Sequence, residues 1–143
     1  MANAIRSVAV AAAAIGLVAG CSSGSDSSTK SSTSSAASAS PAQLQALVPT
    51  PGGAAQAWGP DTIADNGIHL SFKVTGSPTD VVAAYKTALE GKGWAVTTIV
   101  SSDGGPGGGG GATYTGTHGD NYGVFDGGGF GTETFLNVCA WPT

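Results

Sequence analysis

Residues 22–40 limit what this chain can fold into, because only the 103 residues that follow them have the side chains to build a core. The stretch holds eleven serines in nineteen positions, two charged residues (Asp26 and Lys30) and no large apolar side chain. Such a composition buries too little apolar surface to offset the entropy lost on ordering. We therefore expect a disordered tether over residues 21–40, followed by one small globular domain over residues 41–143.

The first twenty residues have the three regions of a secretory leader. Arg6 and the amino terminus are positive, Val8–Val18 is an uncharged apolar run, and Ala19-Gly20 supplies small residues at its end. This order predicts a signal peptide with a cleavage site. A membrane-spanning helix is the alternative, but Ser7–Gly20 offers only fourteen uncharged residues, whereas a span needs about 20.

Cys21 directly follows the small residues, and the run Val18-Ala19-Gly20-Cys21 resembles the bacterial lipobox. The resemblance implies that the Cys21 thiol receives a diacylglycerol and that the signal peptide, residues 1–20, is cut off after Gly20. The two acyl chains of the diacylglycerol give a firm anchor, since one acyl chain alone holds a protein only marginally, and palmitate is a further acyl group expected there. We therefore expect a lipoprotein held to the cell membrane on its extracytoplasmic side. A signal peptide cut elsewhere would leave Cys21 as an ordinary thiol.

The charge of residues 41–143 excludes two classes of partner. Three lysines are set against eight acidic residues, which leaves a net charge near −5 with no basic stripe. A nucleic-acid-binding domain needs a basic face, and electrostatic docking onto anionic lipid needs clustered lysine or arginine. We expect neither partner, and contact with the membrane only through the lipid on Cys21.

The first half of the domain is predicted to hold one strand and one helix. Pro41–Trp58, with three prolines and a glycine pair, is expected to be extended and irregular. Ile68–Val74 alternates apolar and polar residues, which predicts a strand. Ser77 as N-cap and Pro78 at the first helical position predict a helix that runs to about Glu90.

The second half is predicted to consist of strands and turns. Trp94–Val100 predicts a strand, and Ser101–Gly111 predicts a glycine-rich loop. Ala112–Phe125 predicts a hairpin around residues 118–121. Gly127–Gly129 predicts a glycine turn, and Thr132–Trp141 predicts a last strand. Together with the helix, these strands predict an α+β fold, in which an antiparallel-rich sheet carries one main helix on one face.

The lipobox, the serine-rich tether and the alanine- and glycine-rich composition resemble small secreted lipoproteins of mycobacteria and related actinobacteria, whose function is uncharacterised. The domain shares with them a series of short motifs: Ser77-Pro78, Val81-Val82, Tyr85, Leu89, Gly93-Trp94 and Cys139-Ala140-Trp141-Pro142. The resemblance implies a location and a lineage, and it supplies no catalytic residues.

The glycine-rich run Gly104–Gly111 does not match a phosphate-binding loop. Such a loop needs a lysine and a Ser/Thr after its last glycine and must open a helix. Here Ala112-Thr113-Tyr114 follows and begins a predicted strand. We expect a mobile connection, and the alternative is a loop that becomes ordered around a partner.

Candidate catalytic and metal-binding residues are few. His69 and His118 are the only histidines, and His118 with Asp120 and Asp126 is a conceivable but weak zinc site. Glu133 is the one acid expected on a sheet face, and residues 41–143 contain no Gly-x-Ser-x-Gly elbow. The sequence therefore predicts no catalytic residues, no metal and no cofactor.

Cysteine and tryptophan residues complete the candidates. Cys139 is expected to be a small buried hydrophobic residue rather than a reactive thiol, because no positive charge neighbours it. Trp58, Trp94 and Trp141 are expected to pack in the core, with a stacking surface for sugars as the alternative.

These observations predict a lipid-anchored, non-catalytic binding or accessory module of the cell envelope that contacts an envelope protein or a glycan. The alternative is a small envelope hydrolase or ligand carrier with a cleft near the glycine-rich loop.

Overall fold

The computed structural model of the protein describes residues 38–143. The signal peptide, the cleavage site at Gly20 and Cys21, and most of the predicted tether lie outside these residues. The described part contains two α-helices and six strands: α1 (Pro41–Leu47), β1 (Ala54–Ile63), β2 (Gly67–Thr75), α2 (Pro78–Gly91), β3 (Ala95–Ser102), β4 (Gly109–His118), β5 (Asn121–Phe130) and β6 (Glu133–Pro142).

All six strands form one antiparallel sheet in the order β1-β2-β6-β5-β4-β3. Helix α2 carries the chain from β2 to β3 at the far edge, and β6 returns to the middle, where it joins β2 to β5. The predicted α+β class, with a sheet and one main helix, is therefore confirmed. Strand order depends on this return of β6, which no local pattern specifies.

The core lies between one face of the sheet and the two helices. On β2 the alternating residues Ile68, Leu70, Phe72 and Val74 are buried, as their spacing predicts. Their neighbours across the sheet and along α2 complete the core with Leu136, Val138, Ala140, Phe125, Tyr114, Val82, Tyr85 and Leu89. The opposite face of the sheet carries no helix of the described chain, and we call it the open face.

Helix α2 begins and ends where its sequence predicts. The backbone N–H of Asp80 donates to the hydroxyl of its N-cap Ser77, and Pro78 occupies the first turn. The same hydroxyl donates to the Asp80 carboxylate at 2.6 Å. Lys86 and Glu90 form an ion pair one turn apart on the exposed side.

The prediction that Pro41–Trp58 is irregular is wrong. Ser40 caps a short helix, because its hydroxyl accepts from the N–H of Gln43 while the Gln43 side chain accepts from the N–H of Ser40. This reciprocal capping box is a helix-start pattern. Leu44 is fully buried, so packing against the sheet stabilises a helix too short to persist alone.

Two buried side chains of the main body hold the segment after α1. The Tyr85 hydroxyl donates to the carbonyl oxygen of Pro49 at 3.0 Å, and the indole N–H of Trp94 donates to that of Leu47 at 2.9 Å. Leu47 ends α1, so its carbonyl lacks an intrahelical partner and the bond from Trp94 replaces it. The bond from Tyr85 fixes the chain just after the helix.

The predicted turn at Gly127–Gly129 is also wrong, since β5 continues to Phe130 and the turn lies at Gly131-Thr132. These glycines provide space instead of a turn. A β-carbon at Gly127 would overlap with Leu136 and come within 2.8 Å of Val82. At Gly127, helix α2 and a core side chain of β6 therefore approach the sheet more closely than a β-carbon would allow.

The predicted loop over Ser101–Gly111 is shorter than expected. Ser101 and Ser102 pair with Ala112 and Gly111 as part of β3 and β4, and only a short 3-10 turn at Gly105–Gly107 separates the strands. Gly104 has a φ of +72°, and a β-carbon there would collide with the backbone of Gly109. A glycine is therefore required at this turn.

Candidate functional site

Of the predicted site residues, Cys21 and Gly20 lie outside the described residues. Within residues 38–143, no helix has the length and apolarity needed to cross a membrane. The same part of the chain contains no group of three or more His, Cys, Asp or Glu side chains arranged to hold a metal ion.

The conceivable zinc site does not come together. His118 packs against Trp94, and its Nε2–H donates to the carbonyl oxygen of Lys92 at 3.1 Å. Asp126 pairs with Thr113 of β4. Thr113 precedes His118 by five residues, so the two positions are about 17 Å apart at the usual rise per strand residue. Asp126 also lies on the open face, whereas the alternation along β4 and β5 places His118 on the helix face. Asp120 lies in the β4–β5 turn and lines the same groove as His118, but Asp126 faces the other side of the sheet, so the three residues do not form one site.

Strand β4, which follows the glycine-rich turn, borders a shallow depression and not a cleft in which several acidic side chains converge. The depression has a volume of about 290 Å³ and is lined by Ser102, Gly110, Gly111 and Asp126, among others. Asp126 is its only acidic side chain. A second groove, of about 500 Å³, lies between α1 and the β4–β5 turn and is lined by Leu47, His118 and Asn121.

The open face carries a continuous row of side chains across all six strands. The register pairs Trp58 of β1 with Ser71, Ser71 with Asn137, Asn137 with Asp126, and Asp126 with Thr113. Val100 of β3 ends the row beside Thr113. Because adjacent strands lie about 4.8 Å apart, Trp58 to Thr113 spans about 19 Å.

Four residues form the centre of this row: Ser71, Asn137, Asp126 and Thr113. We call these four residues the polar row. The Ser71 hydroxyl donates to Oδ1 of Asn137 at 2.8 Å, and the Thr113 hydroxyl donates to Oδ1 of Asp126 at 2.7 Å. His69 Nε2 lies 3.3 Å from the Ser71 hydroxyl. These bonds orient the side chains, and the amide nitrogen of Asn137 and Oδ2 of Asp126 have no hydrogen-bond partner among residues 38–143.

Aromatic side chains lie beside the polar row. Trp58 is 47% exposed and Phe135 is 46% exposed, and Tyr122 stacks on Trp141 with ring centroids 6.2 Å apart. Trp94 alone among the tryptophans is buried. The prediction of core packing is thus confirmed for Trp94 and wrong for Trp58 and Trp141, which lie on the open face.

Charge on the open face is low and slightly negative. Lys73 forms an ion pair with Glu133 at 2.6 Å and lies 5.8 Å from the centre of the Phe135 ring. Glu133 lies on a sheet face as predicted, but the prediction that it is the one acid there is wrong. Asp61 and Asp126 add negative charge to this face, so the surface is unsuited to a polyanion.

Cys139 lies on the open face opposite His69. The prediction that it is buried in the core is therefore wrong. It is only half-buried, and its side chain has no hydrogen bond to His69 among the described residues. Partial burial raises the pKa of the Cys139 thiol. A thiolate is the reactive form, so this environment makes the thiol less reactive than an ordinary cysteine.

The sequence contained part of the signal for this surface. Ser71 and Asn137 alternate with buried residues of β2 and β6, which indicates a polar face. That these two residues meet Asp126 and Thr113 follows from the central place of β6, a non-local property. Comparison with known proteins adds nothing further: the chain matches no protein family, no curated protein and no solved structure.

Proposed function

We propose that this protein is a lipid-anchored, non-catalytic binding module of the cell envelope, displayed on the extracytoplasmic side of the membrane, and that it binds neutral glycan through the open face. The observation that carries the proposal is the polar row between exposed aromatic side chains. The leader that resembles a lipobox and the resemblance to actinobacterial lipoproteins support the location.

The chemistry of the open face favours a sugar chain. Pyranose rings present apolar C–H faces and a rim of hydroxyl groups, so they are bound by an aromatic platform together with fixed polar groups. Trp58 provides an exposed ring, and aromatic side chains combine large contact area with little conformational entropy. The unpaired amide of Asn137 can donate, and the free oxygen of Asp126 can accept, from adjacent hydroxyl groups.

The flatness of the face favours a polymer over a small metabolite. The row crosses all six strands without an enclosing wall, and pockets for small ligands usually bury most of the ligand surface. A linear glycan needs no such enclosure, since its successive rings can each contact part of a 19 Å row. We therefore assign the face to an extended, uncharged polysaccharide.

The binding proposal is tested by co-sedimentation of the purified chain with insoluble cell-wall polysaccharide. Trp58→Ala and Asn137→Ala should each reduce the bound fraction by about tenfold, in the range of 1–3 kcal/mol for the loss of one well-used contact. Thr87→Ala, on the exposed side of α2, is the matched control and should bind normally. Equal binding by all four proteins would overturn the proposal.

The anchoring proposal has a separate test. Cys21→Ala removes the thiol that would carry the lipid, so the protein should move from the membrane pellet to the supernatant on fractionation. A Cys21→Ala protein that stays in the pellet after a high-salt wash would contradict lipid anchoring through this residue.

A further inference from the structure

The shallow depression beside the glycine-rich turn lies on the open face, next to the polar row. Asp126 of the polar row lines one side of it, and Val100 and Ser102 of β3 line the other. Gly111 forms part of the floor and pairs with Gly128, so two neighbouring positions of the face carry no side chain. The volume of about 290 Å³ is at the lower limit of pockets that enclose a whole small molecule, about 300 Å³. The depression therefore suits one substituent of a larger ligand.

Three kinds of chemical group meet at this depression. Asp126 presents Oδ2, which has no hydrogen-bond partner among residues 38–143, while its Oδ1 accepts from the Thr113 hydroxyl at 2.7 Å. Val100 is 57% exposed and lies beside Thr113 in the register, so its methyl groups form an apolar wall. The Ser102 hydroxyl accepts from the backbone N–H of Gly104 at 3.3 Å, and its own proton is free to donate. The depression thus combines an acceptor, an apolar wall and a donor.

An acetamido group matches all three. Its N–H can donate to the free oxygen of Asp126, its carbonyl oxygen can accept from the Ser102 hydroxyl, and its methyl group can cover Val100. A hydroxyl group in the same place would use the acceptor but leave the apolar wall in water, and burial of such surface contributes about 25 cal/mol per Å². An ammonium group would pair with Asp126 but lose hydration against Val100. These groups therefore favour an acetamide over both alternatives.

We propose that the depression is the subsite for the N-acetyl group of an N-acetylhexosamine, so that the neutral glycan bound by the open face is a polymer of N-acetylated sugars. The inference rests on the proposed function, because it places one substituent of that glycan. The sugar ring lies over the polar row, where Asn137 of β6 is paired with Asp126 of β5, and its acetamido group points toward β3. Asp126 is then the residue that determines which sugar is bound.

Two insoluble polymers with the same backbone test the subsite. Chitin and cellulose are both β-1,4-linked, and they differ at C2, which carries an acetamido group in chitin and a hydroxyl group in cellulose. In co-sedimentation, the purified full-length chain should bind chitin at least about tenfold more tightly than cellulose, as expected for one charge-assisted hydrogen bond and a covered methyl group. Cross-linked chitosan, in which C2 carries an amine, should bind no more tightly than cellulose in high salt, which screens the attraction of an acidic domain for a polycation.

Substitutions at the rim alter the subsite and leave the core intact. Asp126→Ala removes the acceptor and should reduce the preference for chitin over cellulose to about twofold. Val100→Ala removes part of the apolar wall and should weaken chitin binding about threefold. The matched controls are Asp120→Ala, an exposed acid in the β4–β5 turn, and Thr98→Ala, an exposed residue on the other face of β3. Both controls should keep the full preference, and far-UV circular dichroism shows that each variant is folded.

The outcomes separate this inference from glycan binding itself. Equal affinity for chitin and cellulose, with both lowered by Trp58→Ala, would overturn the acetamido subsite and leave the binding proposal standing. Tighter binding to chitosan than to chitin in high salt, or a full chitin preference in Asp126→Ala, would also overturn the subsite. Binding to neither polymer would overturn this inference, and if cell-wall polysaccharide also failed to bind, the proposed function would fall with it.

Discussion

Replacing Gly127 with alanine should destabilise the domain, whereas the same substitution at Gly91 should not. A β-carbon at Gly127 would overlap with Leu136 and lie within 2.8 Å of Val82, and both of these side chains are buried in the core. Forcing an extra carbon into a packed core costs typically 1–3 kcal/mol. Alanine regains about 0.4–1 kcal/mol by restricting the unfolded chain. The net loss should be about 1–2 kcal/mol of unfolding free energy.

Gly91 is the matched control, because a β-carbon there has no neighbour within 4 Å and the residue ends helix α2. Alanine favours helix over glycine by up to about 1 kcal/mol, so Gly91→Ala should be neutral or stabilising. Urea unfolding of the non-lipidated chain, followed by circular dichroism, measures both changes. The melting temperature should fall by roughly 5–10 °C for Gly127→Ala. An unchanged or raised unfolding free energy for Gly127→Ala would refute the view that glycines of β5 provide space for the core.

Three further predictions concern buried groups. Leu44→Ala should cost about 2–5 kcal/mol in urea unfolding, because Leu44 is fully buried; exposed Gln45→Ala is the control, and equal small effects would contradict the docking of α1. Burial raises the pKa of Tyr85, so the folded state holds the phenolic proton more tightly than the unfolded state. The unfolding free energy should therefore fall as the pH rises above about 10. Tyr85→Phe should reduce this fall, and an unchanged dependence on alkaline pH would contradict the role of Tyr85. Cys139 should react with a thiol reagent more slowly in the folded Cys21→Ala chain than after unfolding in urea, since burial raises its pKa; equal rates would show an unhindered thiol.

Local patterns predicted the elements that depend on neighbours in the sequence. The alternation over Ile68–Val74 and the Ser77-Pro78 helix start describe β2 and α2 as the structure shows them. Both rest on short-range rules of side-chain period and capping, which a single sequence contains.

The errors arose mainly where distant residues decide the conformation, although the capping box of Ser40 and Gln43 is a local signal for α1 that was missed. Helix α1 depends on the burial of Leu44 and on hydrogen bonds from Tyr85 and Trp94. Glycines 127–129, a turn by local preference, are a strand because α2 and β6 lie against them. Tertiary packing overrides propensity in both cases.

The candidate surface could be predicted only in part for the same reason. Alternation indicates that Ser71 and Asn137 face away from the core, but their pairing requires β6 to lie beside β2. The meeting of Asn137 with Asp126 requires β6 also to lie beside β5. Such a strand order follows from the whole chain and not from a motif.

The most direct test of the central claim is site-specific photo-cross-linking in intact cells. A benzophenone amino acid is placed at position 58, at the β1 end of the proposed contact, or at position 87 on the far side as control. The account predicts that position 58 alone yields an adduct of broad, high apparent mass that collapses when the attached glycan is hydrolysed. A discrete adduct that adds the mass of one other protein, or equal adducts from both positions, would contradict glycan binding through the open face.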